Sequence, residues 1–192
     1  MNARILKLTI VGVSAAILVG CASAPPLNFV PPNVGYSQKK IDAEVRSMTV
    51  TLARPDEKTG DMPAGMEGLV PQLWQTALQD ALNRMSIFQD DSSTKVNLSV
   101  KILKMEPPAA GASMTTTTAA KYELINRKNG DILYTQTIDS SGTVPWDYAF
   151  MGVTRARESI NRAVQNNISQ FLQSLDTVDA SRPMFPTKTA SK

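Results

Sequence analysis

The 192-residue chain contains no histidine and a single cysteine, Cys21. Without an imidazole, Ser-His-Asp and Cys-His catalysis are both excluded, since each needs a base that titrates near neutral pH. The usual zinc sites lose their nitrogen ligands for the same reason. One cysteine permits no internal disulfide, so the fold must rest on its core alone. An excess of charge is also missing. With Arg4 and Lys7 set aside from the 20 basic residues, 18 remain against 17 acidic ones. A body so balanced has no field to attract nucleic acid. A nucleophile elbow, a phosphate loop and hexapeptide repeats are absent as well. The one sustained apolar run, Leu8 to Val19, is twelve residues long. That is too short to span a hydrocarbon layer of ~30 Å and suits the core of an export signal.

What is present begins with that run. Arg4 and Lys7 precede it, and Leu18-Val19-Gly20-Cys21 ends it. This ending resembles the lipobox of bacterial lipoproteins. The resemblance implies diacylglycerol on the Cys21 sulfur, cleavage before Cys21, and acylation of the new amino terminus. Leu18, Val19 and Gly20 would be the residues the peptidase recognises. The alternative is an ordinary secretory signal cut at Ala22-Ser23-Ala24. The motif, the apolar run and the lone cysteine together favour the lipoprotein. The same resemblance implies, from Ala22 rather than an aspartate after the cysteine, export to the outer membrane with the body facing the periplasm. Stable anchoring takes two or more acyl chains, at about 0.8 kcal/mol per buried CH₂.

The expected division is a signal peptide over 1–20, a lipidated cysteine and Pro-rich tether over 21–40, one domain over 41–178, and a polar, unordered tail over 179–192. Pro25-Pro26 and Pro31-Pro32 would hold the tether extended at ~3.1 Å per residue, a reach of roughly 50 Å. Leu27, Phe29, Val30 and Tyr36 are unusual in a spacer. They are expected to pack back onto the domain rather than to serve as a docking motif.

In the domain, Met48, Val50 and Leu52 alternate with polar residues and predict a strand over 45–53. A Pro- and Gly-rich loop follows. Val70, Leu73, Trp74, Ala77, Leu78, Ala81, Leu82 and Met85 recur at helical spacing, and Pro71 suits a first turn. Asp90-Asp91 reads as a solvated turn rather than a cation site. Strands are predicted over 95–105, with Val96, Leu98, Val100 and Ile102 inward, then over 114–127 and 131–140. Asn129-Gly130 predicts a tight two-residue hairpin turn between the last two. A helix over 154–175 carries Ile160, Val164, Ile168, Phe171 and Leu172 on one face. The order β-α-β-β-β-α predicts a two-layer α+β sandwich, with a mostly antiparallel sheet of about four strands and both helices on one face.

Val96-Asn97-Leu98-Ser99-Val100, Tyr122-Glu123-Leu124, the Asn129-Gly130 turn and the helix Ser159 to Leu175 resemble the YajG-type bacterial lipoproteins. The layout is also similar to the LPS-assembly lipoprotein LptE and to auxiliary lipoproteins of ABC-type lipid transport systems. These likenesses imply a small periplasmic-facing domain with no catalytic residues to carry over. The likeness to LptE further implies a partner barrel.

The stretch Val144 to Phe150 gathers Trp146, Asp147, Tyr148 and Phe150 just before Arg155 and Arg157. These six form the candidate partner surface, since Trp, Tyr and Arg are the usual anchors of interfaces. Against that stands the expectation that Trp146 and Phe150 cap the core where strand crosses to helix. Positive charge at a helix start opposes the dipole at a cost of some tenths of a kcal/mol. The favoured reading is that this small misfit has no function, and the alternative is that Arg155 and Arg157 answer an anionic lipid, glycan or partner. The carboxylates are scattered, and no metal or cofactor is called for beyond the lipid on Cys21. The expected function is a non-catalytic interaction or assembly module of an envelope complex, held at the outer membrane, with a protein partner. The alternative is a carrier that binds lipid or glycan between helices and sheet.

Overall fold

The computed structural model describes residues 25–187. Strand β1 (Glu44–Leu52) is followed by helix α1 (Leu69–Met85), strands β2 (Lys95–Glu106), β3 (Met114–Asn126) and β4 (Ile132–Val144), and helix α2 (Gly152–Ser174). A short 3₁₀ turn, Leu175–Thr177, closes α2. The four strands form one sheet in sequence order. β2, β3 and β4 pair antiparallel, as consecutive hairpin strands must. β1 pairs parallel with β2 because α1 returns the chain to the starting end. Both helices lie on one sheet face, so the α+β sandwich is as the sequence indicates.

The layers meet in a core of Trp74, Leu78, Leu98, Val100, Ile102, Tyr122, Leu124, Ile168 and Phe171, all essentially inaccessible to solvent. Tyr122 stacks on Phe171 with ring centroids 4.2 Å apart. Its hydroxyl accepts a hydrogen bond from Trp74 Nε1 at 3.2 Å and donates to Asn167 Oδ1 at 2.9 Å. Asn167 Nδ2 in turn donates to the Ile138 carbonyl at 2.8 Å. This chain joins both helices to the sheet with every member satisfied, which is what makes burying these polar groups tolerable. Burial pushes the Tyr122 hydroxyl far above the ordinary tyrosine range, so it stays protonated.

α2 also shields the sheet edge. Asn166 Nδ2 donates to the Ser141 carbonyl at 2.8 Å and Arg162 Nη1 to the Thr143 carbonyl at 3.1 Å. Carbonyls on β4 that could otherwise template another strand are thereby occupied. The approach is close because of Gly142. A Cβ there would lie 2.3 Å from Ala163 N and 2.6 Å from the Ser159 carbonyl.

Three boundaries differ from the sequence expectation. β4 runs on to Val144 rather than stopping near Ser140, since Gly142 lets the strand slide under α2. The hairpin after β3 is wider than a two-residue turn. Asn126 N donates to the Asp131 carbonyl at 2.8 Å, and only Gly130 has a positive φ, +78°. Asn126 Oδ1 takes the Lys128 N–H at 2.9 Å, a local bond that draws the strand end into the turn. The third difference is the tail. Ile132 and Phe185 exchange backbone hydrogen bonds at 3.0 and 3.1 Å, and Thr187 N bonds Asp131 Oδ1 at 2.6 Å, so residues up to 187 are seated along β4.

Candidate functional site

The aromatic stretch sits between the end of β4 and the start of α2. Pro145 cannot supply a further ladder hydrogen bond and stops the strand. Tyr148 N closes a turn onto the Pro145 carbonyl at 3.3 Å. Trp146 is 69% exposed, Tyr148 49%, and Phe150 fully so. The expectation that Trp146 and Phe150 cap the core is therefore overturned. The reason is geometric. The short loop swings the chain outward before α2 begins, and Val144 and Met114 already fill the end of the sandwich. Asp147 is exposed beside Trp146.

The two arginines take different roles. Arg155 folds back and donates from Nη1 to the carbonyls of Ala149 and Phe150, the second at 3.0 Å. It pins the loop to the helix that follows. Its Nε is buried with no protein partner. Arg157 donates from Nη1 to the Pro25 carbonyl at 3.3 Å. Arg162 braces the loop from a third direction. Its guanidinium lies 5.1 Å from the Tyr148 ring centroid while Nε holds Glu158 at 2.9 Å. The positive charge at the start of α2 is thus spent on the loop and on the amino-terminal segment.

That segment packs back onto the domain, as its apolar residues indicate, Tyr36 excepted. Phe29 is buried edge-on against Trp74, with centroids 6.3 Å apart. Leu27 and Val30 pack beside it, whereas Tyr36 stays exposed. Asn161 Oδ1 accepts the Asn28 N–H at 2.8 Å, and Asn161 Nδ2 donates to the Pro26 carbonyl at 3.5 Å. Gln165 Nε2 donates to the Asn28 carbonyl at 2.8 Å. Residues 25–30 are a strap along α2 and add nothing to the expected reach of the tether. A buried asparagine on an apolar helix face was the available signal. Its partner lies 133 residues away in sequence.

Two carboxylates beside lysines, Glu44 and Glu57, titrate low. Glu44 is held by Lys95 and by Arg46, the latter at 2.6 Å, and its carboxyl titrates below the usual range, chiefly through the Lys95 hydrogen bond. Glu57 is lowered likewise by Lys101, at 2.6 Å, and by the Arg54 N–H. A shallow groove of about 530 Å³ brings Glu44 and Asp90 into one lining. Glu44 is ionised there, the reverse of what a general acid needs. Among the described residues no three His, Cys, Asp or Glu gather as metal ligands, and no helix is long and apolar enough to cross a membrane. Cys21 and the preceding Leu18, Val19 and Gly20 lie outside the described residues.

No protein-family model matches the chain, and no curated protein matches its sequence. Solved structures do share its outline. A Xanthomonas campestris protein of the family DUF330 is 12% identical, covering 80% of this chain and 96% of its own, with a TM-score of 0.48. A Caulobacter crescentus protein provisionally assigned as a lipoprotein is 15% identical, covering 68% and 88%, with a TM-score of 0.43. A minor lipoprotein from Acinetobacter baumannii is 14% identical, covering 71% and 96%, with a TM-score of 0.36. No activity is carried over from any of them.

Proposed function

We propose that the chain is a bacterial lipoprotein, cleaved before Cys21, acylated there, and held at the outer membrane with its domain facing the periplasm. Its role is that of a non-catalytic interaction or assembly module for an envelope protein. The observation that carries this is Leu18-Val19-Gly20-Cys21 at the end of a twelve-residue apolar run, with no other cysteine in the chain. The folded body supports it. The core needs no disulfide, the perturbed carboxylates are ionised and paired, and the sheet face opposite the helices carries Ser99, Lys101, Lys121 and Glu123 as a polar surface for a protein. The carrier reading would need room between helices and sheet, where Trp74, Tyr122 and Phe171 are packed in contact.

The test is the mass of the mature amino-terminal peptide from the parent and from Cys21→Ser. Acyl chains on the parent and an unprocessed, unacylated variant are expected. Processing and envelope retention of both, with no fatty acid on either, would falsify the assignment. Native mass spectrometry after mild extraction then separates a stoichiometric protein partner, expected here, from a co-purifying small molecule.

A further inference from the structure

Nine large apolar side chains are exposed among the described residues, and five of them, Trp146, Tyr148, Phe150, Met151 and Val153, fall within eight consecutive positions. Such a concentration marks a contact surface. The strap shows what faces it. From Asn28 back to Pro25, the partners on α2 step from Gln165 through Asn161 to Arg157, one helical turn at a time toward the amino-terminal end of α2. That is the end from which the aromatic loop projects. Pro25 is held at Arg157, only ~8 Å along the helix axis from Gly152. Cys21 is four residues before Pro25, so its Cα lies within about 14 Å of Pro25 whatever path the chain takes.

We propose that the loop is a second membrane contact, in which Trp146, Phe150 and Met151 enter the interface of the leaflet that holds the lipid on Cys21. This rests on the acylation proposed above. The headgroup region on each side of the hydrocarbon is about 5–8 Å deep, within reach of so short a connection. Trp and Tyr favour that layer because one end of each ring system is apolar and the other polar. Charge is not the source of attraction. Arg155 is committed to the loop carbonyls, Arg162 to Glu158 and Tyr148, and Asp147 adds a negative charge at the tip. Pinning by Arg155 presents the loop in a fixed shape, so little order is lost on insertion.

The chain has two tryptophans, and Trp74 is fully buried, so it supplies a constant background that Trp146→Phe isolates. The acylated protein is placed in phosphatidylethanolamine–phosphatidylglycerol vesicles, with and without acyl-brominated lipid, after the mass of its amino-terminal peptide has been read. Trp146 emission is expected to move to the blue by roughly 10 nm and to lose about half its intensity to bromolipid, with little change in high salt. Acylated, vesicle-bound protein whose Trp146 still emits as in water and is not quenched overturns the loop contact and leaves the anchor standing. An amino-terminal peptide without acyl chains overturns both. In cells, Phe150→p-benzoylphenylalanine should form lipid adducts on irradiation. Adducts to another protein, or to a second copy of this chain, assign the loop to that occupant and overturn the proposal.

Discussion

The molecule holds two aromatic clusters of similar composition and opposite fate. Trp74, Tyr122 and Phe171 are sealed between helices and sheet, and their polar atoms bond one another and Asn167. Trp146, Tyr148 and Phe150 project into solvent, fastened only through backbone and guanidinium contacts. Residue type does not separate the two. What does is the secondary structure beneath each. The first cluster is spaced along α1, β3 and α2 so that every ring faces the same interior. The second follows Pro145 in a loop with no opposing layer.

The contrast predicts unequal costs. Trp74→Ala should be the most damaging change, at about 3–5 kcal/mol, because it opens a cavity between layers. Trp146→Ala should shift stability by less than about 0.5 kcal/mol. Equal losses in urea titrations of the two variants would erase the distinction. Gly142→Ala comes next, at roughly 2–3 kcal/mol, since its methyl would drive into the α2 backbone. An unchanged midpoint would show that the sheet edge can retreat from the helix.

Tyr122→Phe should cost about 1–2 kcal/mol, because Trp74 Nε1 and Asn167 lose their shared partner. It should also alter the alkaline response. The Tyr122 hydroxyl has a raised pKa in the folded chain, so its contribution is intact below the unfolded value of about 10 and is lost as pH rises beyond it. The parent should therefore weaken more steeply above about pH 10 than the variant. Parallel alkaline slopes in both proteins would remove Tyr122 from that account. Phe150→Ser should leave thermal stability within about 0.5 kcal/mol of the parent. A larger drop would mean the loop supports the core after all.

The buried cluster was legible in the sequence and the exposed one was not. Period-two alternation in β2 and the stripe from Val70 to Met85 point inward by arithmetic alone. Asp80–Arg84 and Glu158–Arg162 pair at 2.7 and 2.9 Å, as their i,i+4 spacing indicates. The side on which Trp146 ends depends on how tightly β4 and α2 meet. That is set by Gly142, whose missing side chain carries no pattern. The hairpin turn departs from its Asn-Gly signal for a related reason, since Asn126 competes through its own side chain for a backbone N–H the ladder would have used. The packing of Leu27, Phe29 and Val30 onto the domain was legible in their apolar character, but the polar bonds were not, because they join positions 25–28 to α2 across more than a hundred residues.

The seating of residues 25–36 across the helices acts as stored length. If the body is mounted at Cys21, as proposed above, the grip of Asn161 and Gln165 on Asn28 keeps it close to its support, like a plate on a bracket. Peeling those twelve residues away would free roughly 40 Å of chain and let the same domain swing into the space beyond. On that proposal, how far out the domain can extend is governed by the seating of Phe29 against Trp74 together with the amide contacts on α2.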